Sequence, residues 1–69
     1  MAMNIVIEFV LDRETSGSVK YREVLPDRTL AQYPNSSGAK IGVLYVRKTT
    51  FEAAGLTKFP DSLTVTVET

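Results

Sequence analysis

Ile41-Gly42-Val43-Leu44-Tyr45-Val46-Arg47-Lys48 is a compact apolar run that ends in two positive charges. Its β-branched and aromatic content, its length and the turn-forming residues before it predict a strand with apolar residues on both faces. Such a strand needs cover on both sides, so it is expected to be the central strand of the fold.

Upstream, Asn4 to Asp12 alternates with period two, placing Ile5, Ile7, Phe9 and Leu11 on a core face and Val6, Glu8, Val10 and Asp12 on the other. Arg13 to Ser18 is a turn cluster in which Gly17 is the natural place for positive φ. Val19 to Val24 alternates again, with Val19, Tyr21 and Glu23 opposing Lys20, Arg22 and Val24, and the two segments pair as a β-hairpin. Pro26 then breaks the strand. The connection to Gly38 is long for a compact domain. Thr29 to Tyr33 offers a short edge strand within it, and residues 34–38 read as a mobile loop.

Downstream, Thr49 is placed as a helix cap, Glu52 as its capping-box partner and Gly55 as the stop. A helix this short needs Phe51, Ala54 and Leu56 docked on the sheet. Leu63 to Glu68 alternates as the last strand, with Leu63, Val65 and Val67 inward. The fold class is therefore mainly β, a β-rich α+β arrangement: a small, mostly antiparallel sheet built from a β-hairpin, then strand, short helix and strand. A half-barrel or sandwich completed by oligomerisation would cover the apolar second faces.

The chain has 69 residues, which makes a single domain that buries roughly 60% of its unfolded surface and sits close to the limit of unaided folding. It contains neither cysteine nor histidine, so disulfides and the usual transition-metal ligands are excluded and no cofactor is expected. Tight packing or association with another chain are the remaining routes, and a homodimer or larger assembly is favoured, a dimer first. Eight basic and eight acidic residues cancel, which argues against nucleic acid as the main partner. No membrane-spanning run or signal peptide is read, so a cytoplasmic location is expected. Met1-Ala2 before Met3 is read as a cloning remnant or a disordered start, and Asn35-Ser36-Ser37 as a loop despite its glycosylation pattern.

At Ile41 to Lys48, with the terminal Ser62 to Glu68 and the hairpin leading into Lys20-Tyr21-Arg22, the chain resembles small uncharacterised β-rich proteins of bacteria and phages that carry an Ile-Gly-x-Leu-Tyr-x-x-Lys strand. The resemblance implies a phage or mobile-element accessory protein and brings no activity with it.

Catalysis is disfavoured. Glu8 and Asp12 lie some 13 Å apart along a strand, too far to share a proton, and the turn serines have no candidate base. Two binding surfaces remain. Lys20, Tyr21, Arg22, Tyr45, Arg47 and Lys48 combine cations with aromatic faces, as a single-stranded nucleic-acid platform requires. The ordinary reading of the same residues is core or rim aromatics with basic guards on strand edges. Val6, Val10 and Val24 form an apolar patch suited to self-association. The expected function is a non-enzymatic module acting by contact with itself or with a host or phage protein, and the alternative is single-stranded nucleic-acid binding.

Overall fold

Apolar alternation carries the chain through a first long strand, β1 (Asn4–Glu14), which turns into β2 (Ser18–Glu23); β3 (Val43–Arg47) then runs directly into α1 (Lys48–Ala53), and β4 (Ser62–Glu68) ends the chain. The structure is a computed structural model and describes residues 3–32 and 38–69. The expectations for Met1-Ala2, for Asn35-Ser36-Ser37 and for a mobile loop over Pro34–Ser37 fall outside the described residues. All four strands pair antiparallel in the order β3-β2-β1-β4, and the sheet curls into a half-barrel. The mainly β, antiparallel architecture with one short helix is thus the architecture of the molecule.

The placement of β3 differs from expectation. It pairs only with β2 and forms an edge of the sheet, with β1 and β2 at the centre. One of its faces, Leu44 and Val46, packs on the core; Tyr45 and Arg47 on the other are exposed. The run looked two-faced because Ile41 and Gly42 precede the strand rather than belong to it, and Gly42 has a φ of 93°.

The core lies on the concave face. Ile7 and Phe9 from β1, Val19 and Tyr21 from β2 and Phe51 from α1 are buried there, with Ile5, Leu11, Leu63 and Val65 packed around them. Phe51 meets Tyr21 at 6.3 Å and Phe59 at 5.7 Å between ring centroids, so three aromatic side chains roof the sheet. A register shift between Leu11 and Arg13 leaves Asp12 as an extra residue in β1, a bulge that adds local twist to the curl.

Four local readings are corrected. Gly17 does not take positive φ, because Thr15 closes the hairpin instead: its N–H and hydroxyl both donate to the Ser18 carbonyl and its Oγ1 accepts from the Ser18 N–H. The capping box does not form, since the helix starts at Lys48 with Arg47 as N-cap and no side-chain cap bond. Its C-terminus ends as expected at Gly55, φ 80°, where the Gly55 and Leu56 N–H groups donate to the Glu52 and Phe51 carbonyls in a Schellman pattern. Only Phe51 docks; Ala54 and Leu56 are exposed. Among the described residues, the expected short strand after Pro26 amounts to a single bridge between Val24 and Leu30. No described helix is long and apolar enough to cross a membrane.

Candidate interaction surface

The convex face of the sheet is formed by the side chains that alternate away from the core. Across its middle, cross-strand pairing aligns Val43, Arg22, Val10 and Ser62, with Lys20 beside Tyr45 in the next row. Val6 and Val10 lie two residues to either side of Glu8 on this face, and the Glu8 carbonyl accepts the Val24 N–H from just past the end of β2. Val6 is 63% exposed, whereas Val10 and Val24 are half-buried. The patch is therefore apolar at its rim and carries a carboxylate at its middle, with no ion-pair partner for Glu8 among the described residues.

The basic and aromatic set is divided. Tyr21 is fully buried, so it is no stacking platform: it belongs to the face of Val19, and its hydroxyl donates to the Pro60 carbonyl at 2.8 Å. Lys20 Nζ lies 3.4 Å from Asp12 Oδ2, and Arg22 Nη1 lies 3.9 Å from Asp12 Oδ1. Arg22 is also tied to the connection after β2, donating from Nε to the Ala31 carbonyl at 2.6 Å and from Nη2 to that of Leu30 at 3.3 Å. Lys48 Nζ sits 3.4 Å from Glu14 Oε1 and 5.7 Å from the centre of the Phe59 ring. That leaves Tyr45, 56% exposed, and Arg47 as the members presented to solvent without an ion pair among the described residues.

Burial, then the nearby Asp61 charge, pushes the Tyr21 phenol above its ordinary value of 10.0. In a spectrophotometric titration the Tyr21 phenol should ionise above its ordinary value of 10.0, and Tyr21→Phe should abolish that late step. The same variant should cost about 1 kcal/mol through loss of the bond to Pro60. A late step that survives the substitution would contradict the assignment.

The residue that sequence reasoning passed over is Glu23. It is 1% exposed, and its carboxylate accepts backbone N–H groups from Lys40, Ile41 and Gly42 at 2.8–3.0 Å, while its own N–H donates to the Gly42 carbonyl at 2.9 Å. Burial raises the carboxyl's pKa, but the Ile41, Lys40 and Gly42 N–H groups and the Lys40 charge outweigh it and hold the group below its ordinary value of 4.5. The signal was available: Glu23 shares a face with Val19 and Tyr21, and an acid at an inward position needs a partner.

An open depression of about 330 Å³ lies beside the end of the hairpin, lined by Leu11, Glu14, Thr57, Lys58, Phe59 and Asp61. Its lining includes one cation, Lys58, and two carboxylates, Glu14 and Asp61. No protein-family model matches the chain, and no curated protein or solved structure matches it either. The resemblance at Ile41 to Lys48 thus rests on the quoted residues alone.

Proposed function

We infer that the chain is a non-enzymatic interaction module that works by protein–protein contact, with a second copy of itself as the first occupant. The observation that carries this reading is the state of three of the four cations on the candidate surface: Lys20 and Arg22 are turned onto Asp12, Lys48 onto Glu14, while Val6 and Tyr45 stand in solvent. A phosphate backbone binds by releasing counterions from several uncommitted lysines and arginines. Cations already paired within the chain contribute little to that release. Apolar and aromatic groups left in solvent on an ordered sheet are what a protein partner covers.

The second reading, single-stranded nucleic-acid binding, is favoured only by Tyr45 and Arg47, which lie exposed on one face at alternate positions of β3. Fluorescence anisotropy with a labelled mixed-sequence single-stranded oligonucleotide at about 50 mM salt separates the two, because non-specific binders reach dissociation constants of roughly 1–100 μM. The expected trace is flat across that range. Salt-sensitive binding lost on Arg47→Ala would overturn the protein-contact reading.

A further inference from the structure

We propose that the outer edge of β4 is a self-pairing interface, joining two copies antiparallel into one continuous eight-stranded sheet; this rests on the protein-contact reading and assigns its location. The argument starts from the ladder. Met3 and Thr69 exchange reciprocal backbone hydrogen bonds at 3.1 and 2.9 Å, and the Leu11 N–H donates to the Asp61 carbonyl at 2.8 Å. An antiparallel ladder alternates hydrogen-bonded and non-hydrogen-bonded pairs. The pairs Ile5 with Val67, Ile7 with Val65 and Phe9 with Leu63 are therefore the bonded ones, and Ser62, Thr64, Thr66 and Glu68 turn their N–H and C=O groups away from β1. Among the described residues, no other strand covers them.

Edges of this kind are ordinarily guarded by lysine, proline or a bulge. β3, the opposite edge, follows that rule: it is five residues long, ends in Arg47, and is flanked by Lys40 and Lys48. β4 is seven residues long and has no charge, proline or bulge from Ser62 to Val67. It is also self-complementary. A two-fold axis through Val65 sets Thr64 against Thr66 of the copy and Ser62 against Glu68, so that all four outward-turned residues fall in hydrogen-bonded pairs.

The same axis sets Val65 against Val65 and Leu63 against Val67 in the non-hydrogen-bonded pairs, where side chains approach most closely. These residues lie on the concave side, paired with Phe9, Ile7 and Ile5, so the apolar row of each core runs on into the other. Val67, 36% exposed in the single chain, would be covered. No like charges are opposed, because Glu68 meets a serine. The convex face offers a poorer self-contact, since the two-fold copy of its valine patch must also bury Glu8 without a partner.

The test reads register as well as mass. Light scattering on the parent, across concentrations, should give twice the 7.6 kDa of one chain. Thr64→Lys with Thr66→Lys puts lysine against lysine across the axis and should return the single-chain mass. Thr64→Lys with Thr66→Glu puts lysine against glutamate and should keep the dimer, although its exposed surface is changed at the same two positions. Circular dichroism should show both variants folded. A parent that stays at single-chain mass, or a double-lysine variant that stays dimeric, would overturn the proposal. A dimer dissociated by Val10→Lys and untouched by the double-lysine change would overturn it too, while leaving the protein-contact reading in place. Oligonucleotide binding in the anisotropy assay is the separate result that removes that reading.

Discussion

Glu23→Ala should leave the chain largely unfolded at neutral pH. A domain of 69 residues has a total stability of roughly 3–10 kcal/mol. Truncating Glu23 orphans the N–H groups of Lys40, Ile41 and Gly42 and opens a cavity beside Phe9, its cross-strand partner. Removing one member of a buried charged arrangement costs about 3–5 kcal/mol, which is comparable to the whole. Glu23→Gln keeps the volume and one acceptor but exchanges charge-assisted bonds for neutral ones, for a cost of about 1–2 kcal/mol. The two variants also separate by pH. The folded-state carboxyl lies below its ordinary value of 4.5, so its contribution is fully present above that pH and is lost as pH falls through the lower folded value. The gap in urea stability between the parent and Glu23→Gln should therefore be widest near neutrality and narrow progressively below pH 4.5. A gap that stays constant from neutral to acid pH would mean that the carboxylate is not the group holding the 40–42 backbone.

Why this residue escaped sequence reasoning is a question of which interactions leave a period in the chain. Alternation in Asn4–Asp12, Val19–Val24 and Leu63–Glu68 is written in the side chains themselves, and it placed the core face of β1, β2 and β4 correctly, Ile7, Phe9 and Val19 included. Pairing partners are not written there. The Ile41 to Lys48 run has the composition of a buried strand, yet its position at an edge follows from the hydrogen bonding of β1 between β2 and β4, which no local pattern encodes. The Glu23 clasp is longer-range still: its donors come from a segment 17 to 19 residues away and are backbone groups, which every residue type except proline supplies. The basic and aromatic set is divided by interactions of the same long-range kind. Lys20, Arg22 and Lys48 are cations in any sequence reading, and only the bulge at Asp12 and the reach of Glu14 bring carboxylates against them. Tyr21 follows the ordinary reading of a core aromatic rather than that of a stacking platform. Its alternation with Val19 and Glu23 already put it on the opposite face from Lys20 and Arg22, and that parity outweighs its aromatic chemistry.

Phe9→Ala should be as disruptive as Glu23→Ala, and for a reason that separates the two faces of β1. Phe9 is fully buried and stands between Glu23 on β2 and Leu63 on β4, so its ring fills the seam of all the paired strands except β3. Deleting a buried phenylalanine ring costs about 3–5 kcal/mol in lost transfer energy and residual cavity. The concave face is roofed mainly by Phe51, Phe59 and Tyr21, and a single short helix gives the neighbours little freedom to collapse into the space. The cost therefore belongs at the upper end of that range. Val6→Ala, on the same strand but 63% exposed on the convex face, should shift stability by no more than about 0.5 kcal/mol in the single chain. Urea denaturation followed by circular dichroism measures both. If β4 pairs two copies, the midpoint of the parent rises with protein concentration, because association draws on the folded chain alone. Val6→Ala should keep that concentration dependence, since Val6 is a residue of the sheet's face and not of its edge. A loss of several kcal/mol at Val6 that grows with concentration would instead mean that the convex valines are themselves buried between copies, and the assembly would then be a stack of two sheets.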